Sequence, residues 1–240
     1  MDNDARRTGR RRFLNVATIA VASLASMPLM HRAIASDLSP INIGIIGTGR
    51  IGGTLAELWA KAGHAVLLSS RHPERLEELA ARLGPLANTG YPQDAARFGE
   101  VVLIAVPYHA TPQVGRDYAT ELRGKIVLDA GNPQPHRDGD MAHAARAKGA
   151  GLASAEFLPD VRLVRAFNTL PWTILRDEAH RAGEPVAIPL ASDDVQALEI
   201  ASRLVREAGF EPVVVGPLER AREFDVGARG YGGPYTARQL

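Results

Sequence analysis

The feature that most constrains this chain is the hexamer Gly47-Thr48-Gly49-Arg50-Ile51-Gly52, set in "INIGIIGTGRIGG". An apolar β-branched run leads into it and an amphipathic segment leaves it, so strand, tight turn and helix start are predicted in that order. Each glycine then has its own physical task. Gly47 permits the turn, Gly49 lets backbone approach a pyrophosphate, and Gly52 lets the helix pack closely on the strand. The helix start adds free N–H groups and the positive end of its dipole, which suit phosphate. A dinucleotide is the ligand this arrangement fits.

From Ile41 onward, apolar runs alternate with amphipathic segments. "INIGII", "HAVLLSS", "EVVLIAVP", "KIVLDAGNP", "VRLVRAFNT", "EPVAIPLAS" and "FEPVVVGPL" read as strands, and "GPLANTG" as a short one. Between them, "GRIGGTLAELWAKAG", "HPERLEELAARLG", "PQDAARFG", "TPQVGRDYATELRG", "DMAHAARAKG", "WTILRDEAHRAG" and "DDVQALEIASRLVREAG" read as helices. Strand-helix alternation predicts an α/β, Rossmann-type doubly wound sheet, mainly parallel. Ligands in such sheets lie beyond the carboxyl ends of the strands. Gly47–Gly52, Ser69–Arg71, Val106–His109, Gly131–Asn132 and Phe167–Thr169 should therefore share one edge. We place the binding domain at residues 36–218 and read 219–240, Gly-rich and weakly patterned, as a tail of loop with a partner contact.

The end of the second strand selects the dinucleotide. About 20 residues beyond the glycine fingerprint, a carboxylate usually grips the adenosine ribose 2′-OH. Ser69-Ser70-Arg71 stand there instead. A carboxylate would repel a 2′-phosphate, whereas Arg71 can hold it bidentately and a serine can donate a hydrogen bond. Arg75 is expected on the same side of the first helical turn. The alternative is that both arginines pair with Glu74 or Glu78 on a solvated face. The position favours NADP(H).

Charge and composition narrow the rest. Residues 1–35 hold six arginines and two aspartates, so 22 of the 28 basic and 25 of the 27 acidic residues lie beyond them. That body has no basic stripe of the kind nucleic acid demands. With no cysteine, disulfides, thiolate metal sites and a Cys nucleophile are excluded. The first 35 residues read as an export signal. Arg10-Arg11-Arg12-Phe13-Leu14 has the R-R-x-F-L form of a twin-arginine leader, a mild apolar stretch runs from Val16 to Met30, and Ala33-Ile34-Ala35 offers a cleavage site. This predicts a periplasmic or exported mature chain from Ser36 without a membrane span; a cytoplasmic chain with a basic tail is the alternative.

The stretches "IGIIGTGRIGGTLAELWAKAGHAVLLSSRHPER", "VVLIAVPYHA", "IVLDAGNP", "LVRAFNTL" and "ASDD…LVREAGFEPVVVGPL" resemble the NADP-dependent reductases of the deazaflavin (coenzyme F420) type and the related reductase domain of the STEAP metalloreductases. The resemblance covers most of residues 41–218. It implies that Thr48, Gly49, Arg50 and Ile51 contact the pyrophosphate and that Ser70, Arg71 and Arg75 contact the 2′-phosphate. It further implies that the turn after Val106-Pro107 lies by the nicotinamide.

Hydride transfer between nicotinamide and a flavin or deazaflavin needs two aligned rings and little water, more than a positioned acid. No Ser-His-Asp order, metal-ligand spacing or paired carboxylate motif competes with that reading. Four residues at strand ends are candidates beside the rings. His109 would steady an acceptor carbonyl, or cap a turn. Tyr108 would wall the nicotinamide, or pack the loop. Asn132 and Asn168 would hydrogen-bond a carboxamide or acceptor, or stabilise turns. His64 is expected to be structural, and Trp172 to belong to the core, with cover over the site as its alternative. The partner expected is a small-molecule hydride acceptor, with a homodimer as a further expectation. A flavin reductase serving ferric iron and a non-catalytic NADP(H) sensor are the competing functions.

Overall fold

The computed structural model describes residues 39–240. The stretch read as an export signal, residues 1–35, lies outside the described residues. Eight strands form one sheet in the order β3-β2-β1-β4-β5-β6-β7-β8. They are β1 (Asn42–Ile46), β2 (Ala65–Ser69), β3 (Ala87–Gly90), β4 (Val101–Ile104), β5 (Ile126–Asp129), β6 (Arg162–Arg165), β7 (Ala187–Ala191) and β8 (Glu211–Gly216). The order reverses direction between β1 and β4, which is where such sheets open a crevice for ligand. β1 to β6 are parallel throughout.

The last two strands run the other way. β7 meets β6 antiparallel through the single pair Arg165–Ala191, and β8 then follows β7 in parallel. Two local features account for this. Phe167 takes a left-handed backbone conformation (φ 59°) that ends the strand. The helix in the connection, α9 (Trp172–Asp177), has six residues. At about 9 Å it is too short to carry the chain back across the sheet for a parallel return.

Alternation along the strands divides the core. Ile43, Ile45, Val66, Leu68, Val101 and Leu103 join one buried cluster with Leu55 and Trp59 of α1 (Arg50–Lys61) and Leu204 of α10 (Val195–Glu207). Ile46, Val102, Ile104 and Val127 face the opposite cluster. There they meet Ala95 of α3 (Pro92–Phe98), Val114 of α4 (Thr111–Asp117) and Leu158. Full burial of β4 on both faces explains its uninterrupted apolar run. Trp59 pins the first cluster by donating its indole N–H to the Leu204 carbonyl (2.9 Å) and by meeting Phe167 edge-on at 5.7 Å. The remaining helices are α2 (Glu77–Leu83), α5 (Ala119–Leu122), α6 (Pro135–Asp138), α7 (Asp140–Lys148) and α8 (Ala150–Phe157).

Three expectations need correction. The segment Ala150–Phe157, to which the sequence pattern gave no element, is helical and packs against α4 and α7. Its low amphipathicity explains why periodicity did not reveal it, since Ala150, Gly151, Ala153 and Ser154 are all buried. The stretch after Glu219 is folded against the sheet. Leu218–Glu223 forms a 3-10 turn, Phe224 is buried, the Gly232 N–H donates to the Thr169 carbonyl, and the Ala187 N–H donates to the Tyr235 carbonyl. Trp172 is half-buried, flanked by Arg50 at 5.5 Å and Arg176 at 4.8 Å, instead of lying in the core. His64 is structural: its Nδ1 accepts from the Ile41 N–H (2.9 Å), so Nε2 carries the proton toward Glu207 (2.8 Å).

Candidate functional site

The glycine turn is built by close contact. A Cβ on Gly47, whose φ is 97°, would stand 2.7 Å from the Ala105 carbonyl oxygen. One on Gly52 would stand 2.3 Å from the Gly47 carbonyl oxygen. Neither space admits a side chain. Gly49 differs, because a Cβ there would meet nothing within 4 Å. Its face is open to whatever the loop binds. Gly49 is also the N-cap of α1, with no side-chain cap and no acidic residue in the first turn. The first N–H groups of the helix are thus left for an anion.

Two cavities flank this turn. The larger, about 470 Å³, is lined by Gly47, Thr48 and Gly49, by Ser69, Ser70 and Arg71, and by Val106, Pro107 and His109. Its far wall comes from α4, through Gln113 and Val114. The smaller, about 380 Å³, has Ala105, Val106, Pro107 and Ala130 as its apolar lining, with Arg50, Ile51, Asn132, Gln134 and Arg137 around them. No carboxylate lines the smaller cavity. Val106 and Pro107 belong to both, so the β4 turn divides them.

At the end of β2, side chains that look interchangeable in sequence separate. Ser69 is fully buried, and its hydroxyl donates to the Ile45 carbonyl (2.6 Å). Its N–H donates to the Thr48 hydroxyl (2.9 Å), which locks the glycine turn onto β2. Ser70 is half-buried and lines the cavity. Arg71 and Arg75 are exposed, and among the described residues neither guanidinium has an ion-pair partner. Glu74 is taken by His72 (3.5 Å) and Glu78 by Arg82 (3.0 Å). The alternative of simple helix-face pairing is therefore not what the structure shows. Pro73 starts a 3-10 turn, Pro73–Leu76, so Arg75 does not sit on the first α-helical turn as expected, and it lies outside the cavity lining.

The four candidates beside the rings are placed differently from one another. Tyr108 is fully buried, so it forms no wall of either cavity. Its hydroxyl donates to the Ala150 carbonyl (3.1 Å) and accepts from Ser154 (3.2 Å). Burial, with Asp129 nearby, pushes its pKa up to about 12 despite the Ser154 hydrogen bond. Asn168 is also buried. Its amide donates to the Phe224 carbonyl (3.3 Å), and its Oδ1 finds no partner among the described residues. It fastens the C-terminal segment and does not reach either cavity, which corrects its expected contact with an acceptor. Asn132 lines the smaller cavity, but its side chain is held from behind, donating to Asn168 O (2.6 Å) and accepting from Arg165 (3.2 Å).

His109 lines the larger cavity, on the side of Ser70 and Arg71, and not the smaller one. Its Nδ1 lies 2.7 Å from Asp138 Oδ1, while half of its side chain stays exposed. Asp138 is itself fully enclosed and accepts from Arg137 and from the Gln134 N–H (2.8 Å). Although burial works the other way, Arg137, that N–H and His109 hold the Asp138 carboxyl far below the usual carboxylate range. The aspartate orients the imidazole, as carboxylates commonly do.

Beneath the smaller cavity lies a buried ion cluster that no motif announced. Arg165 of β6 is completely enclosed. It donates to Asp129 Oδ2 (3.0 Å), Asp225 Oδ1 (3.0 Å), Asn132 Oδ1 (3.2 Å) and the Gly131 carbonyl. Burial disfavours its charge, yet Asp129 and Asp225 raise its pKa above the ordinary value. The one available signal was a second arginine at the end of a short strand, Arg162–Arg165, whose middle is apolar. Among the described residues, no group of three or more His, Asp or Glu could hold a metal ion, and no helix is long and apolar enough to cross a membrane.

Comparison with known proteins identifies the site's lineage. The family model for the coenzyme F420-dependent NADP oxidoreductases matches residues 42–133. The F420-dependent NADP reductase of Methanothermobacter thermautotrophicus is 30% identical over 198 residues, covering 76% of this chain and 84% of that protein. The chain belongs to this family of NADP-dependent oxidoreductases. Metalloreductase STEAP3 of Rattus norvegicus is 28% identical over 188 residues, 76% of this chain and 35% of that protein. The chain thus spans about a third of the metalloreductases it matches. Among solved structures, a protein from Sinorhizobium meliloti, SMa0349, aligns with a TM-score of 0.67 at 25% identity over 82% of this chain and 95% of that one.

Proposed function

We propose that the protein transfers hydride between NADPH and a flavin- or deazaflavin-like acceptor, with the dinucleotide laid across both cavities. The carrying observation is the pair of unpartnered guanidiniums, Arg71 and Arg75, at the β2 end of a bare glycine turn. Arg71 and Ser70 hold the 2′-phosphate in this reading, and Arg75 reinforces the field from outside the lining. The backbone of Thr48 to Ile51 and the start of α1 receive the pyrophosphate. That assignment puts adenosine in the larger cavity and nicotinamide in the smaller, against Ala105, Val106, Pro107 and Ala130.

When bound, NADPH supplies a hydride from its reduced ring. The chain's own contribution is binding, orientation and exclusion of water. The apolar lining of the smaller cavity supports a flat ring, and Asn132 and Gln134 border it. His109, on the adenosine side, fits a role in binding the dinucleotide, so the acceptor-steadying role first expected of it has no geometric support. Kinship with the F420-dependent reductases supports a deazaflavin acceptor. A flavin that then serves ferric iron is the second reading, favoured by the metalloreductase relatives. The leader belongs to the proposal too: the order of arginines, apolar stretch and Ala-Ile-Ala supports export of the folded chain.

The test follows NADPH consumption by the purified protein against deazaflavin coenzyme, FMN, FAD and a ferric chelate, with NADH as control. Turnover with one acceptor, and not with NADH, is expected. Tight NADPH binding with no turnover on any acceptor would replace the enzyme reading with that of a sensor.

A further inference from the structure

We propose that the buried Asp129–Arg165–Asp225 cluster is an electrostatic bias that favours the oxidised, positively charged nicotinamide over the reduced, neutral one. The inference rests on placing nicotinamide in the smaller cavity, and it concerns residues that no motif or resemblance assigns.

The charge count comes first. One guanidinium stands between two carboxylates, and all four carboxylate oxygens accept hydrogen bonds. Asp129 Oδ1 accepts from the Gly131 N–H (2.8 Å) and Oδ2 from Arg165 (3.0 Å). Asp225 Oδ1 accepts from Arg165 (3.0 Å) and Oδ2 from the Ala150 N–H (2.9 Å). A protonated oxygen would need an acceptor of its own, and each faces a donor. The cluster therefore carries one negative charge in excess. Tyr108, close by, adds none, because its raised pKa keeps the phenol neutral.

Position gives that excess its effect. Asp129 and Arg165 are fully enclosed and the Asp225 side chain is 16% exposed, so solvent screens the cluster weakly. It lies directly behind the cavity: Asp129 holds the N–H of Gly131, Arg165 holds the Gly131 carbonyl and the Asn132 side chain, and Gly131 and Asn132 line the smaller cavity. Two cations line the cavity itself. Arg137 donates to the Asn132 carbonyl (2.7 Å), and its charge is offset by Asp138 (2.8 Å); Arg50 stands exposed against Trp172, where solvent screens it.

The chemistry sets the sign. When a hydride leaves the reduced ring with its electron pair, the ring is oxidised and gains a positive charge. The acceptor is reduced, and its added negative charge is met by a proton from solvent. A fixed excess anion behind the ring stabilises the oxidised state, and with it the charge that develops during donation. The structure thus points to a site tuned to give hydride from NADPH.

Isothermal titration calorimetry of NADP+ and NADPH against the full chain tests this without turnover. Asp225→Asn removes the excess charge at the least buried carboxylate. It is expected to weaken NADP+ about three- to tenfold more than NADPH, an order-of-magnitude figure for one charge at reduced dielectric. Asp225→Glu, which keeps the charge, is expected to preserve the wild-type ratio. Equal losses for both forms in Asp225→Asn would overturn the proposal and leave the cluster a structural brace. Should Asp225→Asn not fold, the unaltered chain still decides. It is expected to bind NADP+ at least as tightly as NADPH, and a tenfold preference for NADPH would overturn the bias. If the unaltered chain binds neither form, the cofactor assignment itself has failed, and this is distinguishable from an unbiased site.

Discussion

An arginine's usefulness depends on what has already claimed it. Among the described residues Arg71 and Arg75 have no ion-pair partner, while Glu74 lies 3.5 Å from His72 and Glu78 3.0 Å from Arg82. A hydrogen bond to a charged group contributes about 1.5–3 kcal/mol, so Arg71→Ala is expected to weaken NADPH binding by about one to two decades. NADH, lacking the 2′-phosphate, should bind nearly as before. Titration of both cofactors checks this, and equal losses would remove the assignment. The serines beside it carry a second lesson at this scale. Ser69 and Ser70 are adjacent and chemically identical, yet strand alternation turns Ser69 inward to Ile45 and leaves Ser70 at the cavity. Pattern alone could name the triplet; the resemblance singled out Ser70, and the structure gives the physical reason.

At the scale of elements, close approach and buried charge set the tolerances. α4 and α8 meet where a Cβ on Gly115 would stand 1.8 Å from the Phe157 carbonyl oxygen. Gly115→Ala must force the helices apart, with an expected loss of about 1–3 kcal/mol as for other overpacked sites; a melting temperature equal to wild type would contradict this contact. The short helix α6 depends on Asp138, which gathers Arg137, Gln134 and His109. Its carboxyl has a lowered pKa in the folded state. The stability this gives is present above the unfolded carboxyl pKa, about 3.9, and is lost as pH falls through the folded value. Asp138→Asn should therefore melt below wild type at pH 7, and the gap should narrow as pH falls below about 4. Thermal melts from pH 7 to pH 3 read this directly; a gap that widens on acidification would contradict the assignment.

At the scale of the molecule, the C-terminal segment closes the fold onto the site. Phe224 is buried, Asp225 pairs with Arg165, and Asn168 holds the Phe224 carbonyl. Removing residues 219–240 leaves Arg165 with Asp129 as its one carboxylate partner and uncovers the Phe224 pocket. We expect a lower melting temperature and weaker binding of both cofactor forms; a truncated chain that binds NADPH as the full one does would show the segment to be dispensable. The leader is tested separately. Export of the Arg10→Lys, Arg11→Lys double variant at the wild-type level would rule out the twin-arginine route.

By itself the sequence determined the parts set by local pattern. The order of strands and of the amphipathic helices, the glycine turn, the missing carboxylate after β2 and the shared edge of its neighbours follow from periodicity and turn chemistry over a few residues. Those rules operate wherever the chain folds. The tertiary structure decided which candidates reach the ligand. Tyr108 and Asn168 sit at strand ends, as read, but neighbouring elements cover them, and His109, held by Asp138, lines the larger cavity and not the smaller. It also decided that Arg165 and Asp225, 60 residues apart, meet behind the smaller cavity. Nothing periodic links positions so distant, and only burial of Arg165 between two carboxylates makes their union necessary.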